Sequence, residues 1–96
     1  MARPIILKFR LYIAGDAPNS AQAIANLAAF CRAHFPDRHE IELVAVFREP
    51  KRALADGILM TPTLIKLIPA PVRKIVGTLS QLAPMLHALG LEQSPA

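Results

Sequence analysis

Apolar and polar side chains alternate from Leu7 to Ile13. Leu7, Phe9, Leu11 and Ile13 fall on one side, and Lys8, Arg10 and Tyr12 on the other. A period of two predicts a strand. It stops at Gly15. Asp16 is placed to cap a helix whose first turn holds Pro18, where a missing N–H costs little. The period then lengthens: Ile24, Leu27, Ala28 and Cys31 form one helical stripe, flanked by Phe30 and His34 and stopped by Pro36. Ile41 to Phe47 is almost continuously apolar and predicts a strand buried on both faces. Pro50 to Asp56 reads as a short helix, opened by Pro50 and closed by Gly57.

The stretch "MTPTLIKLIPAPVRKIVG", Met60 to Gly77, predicts two further strands. They are Thr63 to Ile68 and Val72 to Val76, joined at Pro69-Ala70-Pro71. Leu79, Leu82, Leu86 and Leu89 then recur at helical spacing. Ser80 is the candidate cap and Gly90 the stop, and Pro84 delays the regular helix to about Ala83. The tail, Glu92 to Ala96, is expected to be disordered.

The order β-α-β-α-β-β-α is that of the thioredoxin-like α/β fold, here as one domain over residues 1–96. That fold places a cis-proline just before its third strand, so Thr61-Pro62 is the candidate cis bond.

Composition sharpens this picture by exclusion. The chain has 96 residues, 53% of them hydrophobic and 19% charged, which suits one small core. No apolar run reaches the roughly 20 residues that span a bilayer, and Met1 to Pro4 carries no cleavage-site pattern. A cytoplasmic protein without membrane association is expected.

Net charge is +4, with basic groups at Lys8 and Arg10, at Arg48, Lys51 and Arg52, and at Arg73 and Lys74. Such groups suit solvent, an acidic partner or nucleic acid. Aromatics make up only 5% and do not interleave with them, so a nucleic-acid-binding module ranks last.

Catalytic chemistry is hard to assemble. The turn Gly15 to Ser20, where a redox thioredoxin keeps its reactive pair, has no cysteine. The lone thiol, Cys31, sits on the apolar stripe and is expected to be buried. A thioredoxin-like redox protein using it is the alternative enzyme reading. Ser20 has no histidine near it in sequence and is expected to serve the helix start. His34, His39 and His87 are scattered, without metal-ligand spacing. Glu40 and Glu42 share a strand face and are expected to point to solvent.

Three segments resemble the KaiB family of clock proteins. They are Leu11-Tyr12-Ile13-Ala14-Gly15 with Pro18-Asn19-Ser20, then Ile58 to Leu64, then Pro69-Ala70-Pro71-Val72-Arg73-Lys74-Ile75-Val76-Gly77. The similarity spans Leu7 to Leu89. Ala45, Thr78 and the short tail depart from the family's acidic positions and mark a diverged member.

The resemblance implies a non-enzymatic adaptor of circadian or timer function. It would bind a KaiC-like ATPase ring and affect a KaiA-like protein or a sensor histidine kinase there. It implies no cofactor. The family is metamorphic: a thioredoxin-like state is monomeric, and a ground state is dimeric or tetrameric. The contacts it suggests are Lys51, Arg52, Ile58 and Leu59, with Arg73 and Lys74 in second rank. The rebuilt segment would be bordered by Pro62, Pro69, Pro71 and Gly77.

Overall fold

The protein is described by a computed structural model covering residues 7–15, 17–81 and 87. Strand β1 (Leu7–Ile13) leads to helix α1 (Pro18–His34). Strand β2 (His39–Ala45), helix α2 (Pro50–Ala55), strand β3 (Thr63–Ile68) and strand β4 (Arg73–Val76) follow. The expected last helix and the tail lie outside the described residues, apart from Leu79, Ser80, Gln81 and His87.

The sheet order is β2-β1-β3-β4. β1 runs parallel to β2 with Phe9 beside Ile41, and antiparallel to β3 with Leu11 beside Leu64. β3 and β4 form an antiparallel hairpin, Leu64 beside Ile75. The predicted order of elements is therefore present through β4.

Alternation along β1 splits the core between two faces. On one, Leu7, Phe9 and Leu11 pack with Ala23, Leu27, Phe30 and Cys31 of α1 and with Leu64 and Leu79. On the other, Tyr12 packs with Val44, Ala53 and Ile65. Each large apolar side chain so buried stabilises by about 1.5–3 kcal/mol. The second face is smaller because its helix has only six residues.

Chain reversals follow local chemistry. Gly15 takes φ +57, in the left-handed region that glycine enters without a Cβ penalty. Asp16 lies outside the described residues, and α1 has Ala17 at its N-cap with no side-chain cap bond. Ser20 instead accepts the Ala14 N–H at 3.0 Å, tying the end of β1 to the helix start. Pro36 ends α1 as expected: Phe35 at the C-cap has φ -139 and donates its N–H to the Cys31 carbonyl.

Two expectations change. β2 covers His39–Ala45, not Ile41 to Phe47, and within it only Val44 is fully buried. Its apolar run predicted burial on both faces, but β2 is the edge strand of the sheet and Leu43 is 48% exposed. Glu40 and Glu42 do not simply face solvent, because Lys8 pairs with Glu40 at 3.4 Å and Arg10 with Glu42 at 2.8 Å. The parallel register of β1 and β2 sets each acid beside its base. The bond before Pro62 is cis as expected, and so are those before Pro69 and Pro71. Gly77, at φ +126, donates its N–H to the Pro62 carbonyl at 3.0 Å and closes the hairpin base.

One buried charge escaped the sequence pattern. Lys66 is 1% exposed in the middle of β3, across from Phe9 and Arg73. Burial lowers its pKa, and the neighbouring Arg73 charge lowers it further.

Candidate docking surface

The loops after β1, β2 and α2 meet at one end of the sheet. They frame an open groove of about 250 Å³ lined by Ala14, Val46, Phe47, Ala53, Ile58, Leu59, Met60 and Thr61. Around it apolar side chains face water. Phe47 is 80% exposed, Leu54 79%, Leu59 95% and Met60 63%. Single exposed apolar residues are ordinary; a group of them at one end of a fold makes that end a candidate interaction surface.

The sequence builds this end with short hydrogen-bonded turns. Val46 donates to the Ile13 carbonyl, and Glu49 to that of Ala45. Pro50 opens α2 at a position where its missing N–H has no helical partner to lose. Gly57, at φ +69, reverses the chain, and Ile58 donates back to the Ala53 carbonyl at 2.9 Å. The Thr63 hydroxyl donates to the Met60 carbonyl, fixing the approach to cis Pro62.

Tyr12, which packs with the groove residue Ala53, belongs to a polar network. The Tyr12 hydroxyl donates to Asp56 Oδ2, and Arg10 Nη1 reaches the same oxygen at 3.0 Å. Arg10 Nε binds Glu42 Oε1 at 2.8 Å, and Arg52 Nη2 binds Glu42 Oε2 at 2.8 Å. Arg52 Nη1 also reaches Glu49 at 3.2 Å. Lys74 donates from β4 to the Asp56 carbonyl.

The network therefore joins β1, β2 and α2. Its hydrogen bonds hold both acids below the usual carboxylate range, chiefly that from Arg10 to Glu42 and that from Tyr12 to Asp56. Burial and the bond to Asp56 push the Tyr12 hydroxyl up. The Glu42 and Glu49 carboxylates raise Arg52.

The residues singled out in sequence divide by role. Leu59 lines the groove and is exposed, and Lys51 is exposed on α2. Arg52 is engaged by Glu42 and Glu49, so its charge is partly spent inside. Ile58 is half-buried and packs on the second core cluster. Lys74 reaches this end through Asp56. Arg73 lies across from Lys66, on the sheet face where Leu64 and Ile75 pack, and is not brought to the groove.

Phe47, Leu54 and Met60 were missed as surface residues. The available signal was an apolar side chain in each segment too short to cover it.

Catalytic chemistry finds little here. Among the described residues, no group of three or more His, Cys, Asp or Glu side chains could hold a metal ion. Cys31 is fully buried, and burial pushes its thiol up to about 12. The Ser20 hydroxyl accepts a backbone bond in the turn where a redox thioredoxin keeps its cysteines. Among the described residues no helix is long and apolar enough to cross a membrane.

Comparison with known proteins identifies the family and the fold. A family model described as the KaiB domain matches residues 10–91. The chain is 41% identical over 86 residues to the circadian clock protein KaiB3 of Synechocystis sp., covering 90% of this chain and 82% of that protein. In fold it is similar to the N-terminal domain of SasA from Synechococcus elongatus. The TM-score is 0.75 at 19% identity, covering 100% of this chain and 93% of the other. It is also similar to chloroplastic thioredoxin z, with a TM-score of 0.70 at 12% identity over 90% of this chain and 80% of that one. The fold is thioredoxin-like.

Proposed function

The chain belongs to the KaiB family of circadian clock proteins, and from that premise we propose that it is a non-enzymatic adaptor that docks on a KaiC-like ATPase ring. The observation that carries this reading is that Phe47, Leu59 and Met60 line one groove and are exposed, with exposed Leu54 on α2 next to the groove residue Ala53. A thioredoxin end without its cysteines keeps the shape of a protein-binding surface and loses the thiol chemistry. Leu59 and Phe47 supply apolar area for the ring to cover, and Lys51 lies at the rim. Arg52, Ile58 and Lys74 hold that surface in place through ion pairs, core packing and the bond to the Asp56 carbonyl.

In this fold the chain binds as a monomer. Bound to the ring, it gains or displaces a KaiA-like protein or a sensor histidine kinase, which sets the output of the clock. The segment from Pro62 to Gly77, with Pro69 and Pro71 at its tip, is the part that exchanges between two folds. Only Lys74 reaches from that segment into the network around Asp56. The other members, Arg10, Tyr12, Glu42, Glu49 and Arg52, precede it in the chain and keep their partners if it is rebuilt.

Size-exclusion chromatography with a KaiC-like ring and ATP tests the proposal. Co-elution that is lost in Leu59→Ser supports it. No complex with the ring over hours of incubation overturns it.

A further inference from the structure

Every acid on the segment that forms the docking end is already occupied. Glu49 pairs with Arg52, and Asp56 is held by Arg10 and Tyr12. Two bases of the same segment are not. Arg48 and Lys51 are exposed, and neither makes an ion pair among the described residues. The unpaired charge of this segment is therefore of one sign, with Glu49 still 43% exposed in its pair with Arg52.

These charges sit beside the apolar group. Arg48 follows Phe47 directly. Lys51 and Leu54 are three residues apart on α2, hence neighbours on one helix face, and both are exposed. A second groove, of about 360 Å³, runs along Arg48, Glu49, Pro50, Lys51 and Arg52.

We propose that the partner's docking face is acidic, with carboxylates that meet Arg48 and Lys51 while its apolar side chains cover Phe47, Leu54 and Leu59. This rests on the docking role proposed above and adds the chemistry of the opposite surface. Exposed charges of one sign act mainly on encounter: they raise the association rate, and salt screens them over a Debye length of about 8 Å at physiological ionic strength. Buried apolar contacts act mainly on dissociation. A nucleic acid would also be attracted, but Leu54, Leu59 and Met60 offer no stacking face, and Phe47 is the one aromatic at the groove.

Association and dissociation rates with a KaiC-like ring and ATP decide it, measured at about 50 and 500 mM salt. For the wild type the association rate should fall about tenfold across that range. Arg48→Glu with Lys51→Glu should associate about tenfold more slowly at low salt, with little change in dissociation. Leu59→Ser should dissociate faster with an unchanged salt response.

If the charge variant and the salt series leave association unchanged while Leu59→Ser still weakens the complex, the acidic partner is wrong and the docking role stands. If no complex forms, both fall. A shift of single-stranded RNA lost in the charge variant would overturn the acidic partner in favour of nucleic acid.

Discussion

The Tyr12 hydroxyl and the Asp56 carboxylate meet at 2.5 Å, linking β1 to the residue that ends α2. They are far apart in sequence, and only the fold brings them together. Arg10, two residues before Tyr12 and on the same sheet face, binds both Asp56 and Glu42. These bonds clamp β1, β2 and the end of α2 together. Tyr12→Phe removes one charge-assisted bond and should cost about 1–2 kcal/mol in urea unfolding. It should also raise the Asp56 pKa measured by NMR. An unchanged midpoint together with an unchanged Asp56 titration would show that the bond contributes nothing.

Acid should weaken the same clamp. Glu42 and Asp56 are held below their ordinary range by hydrogen bonds, chiefly from Arg10 and Tyr12 respectively. A carboxylate depressed in the folded state contributes stability above its unfolded pKa and loses it as pH falls through the folded value. Stability should therefore drop as pH falls below about 4.5. Glu42→Gln should be less stable at neutral pH and decline less steeply in acid. Urea midpoints across that range compare the two, and parallel curves would contradict the assignment.

Lys66 should act in the opposite sense. Its amine is buried, and its pKa is lowered by that burial and by Arg73. A lowered lysine pKa means the charged form disfavours folding at neutral pH, with full stability only at alkaline pH. Lys66→Met keeps similar volume and should raise stability by about 1 kcal/mol. A loss of similar size in thermal unfolding would show that the amine has a stabilising role in the core.

The thiol gives a cheap check on redox chemistry. With Cys31 fully buried and pushed up to about 12, the native protein should react with a thiol reagent only as fast as it opens. Rapid modification without denaturant, or disulfide reductase activity lost in Cys31→Ala, would revive the enzyme reading.

Local pattern carried much of the fold. The two-residue period of Leu7 to Ile13 marked β1, Pro36 marked the end of α1, and Pro50 with Gly57 framed α2. Thr61-Pro62 was legible as a cis bond because it precedes a strand in this order of elements. What failed depended on neighbours distant in the chain. The apolar run at Ile41 to Phe47 does not say that β2 takes the sheet edge, nor that Phe47 lies beyond it in water. Glu42 looked solvent-facing because Arg10 and Arg52 reach it only after the sheet forms. Lys66 sits in a strand that reads as apolar, and its burial comes from the fold around it. Of the candidate contacts, Lys51 and Leu59 are exposed, while Arg52 is engaged in ion pairs and Ile58 packs against the core.

The central claim is that Leu59 serves a partner and not the core. At 95% exposure it should contribute little to folding, unlike Leu27, which is fully buried and should cost about 2–5 kcal/mol as Leu27→Ala. The direct measurement is the affinity of Leu59→Ser for a KaiC-like ring with ATP, beside its urea midpoint. The account predicts a midpoint within about 0.5 kcal/mol of wild type and a roughly tenfold or greater loss of affinity. A variant that binds the ring as tightly as the wild type would contradict it.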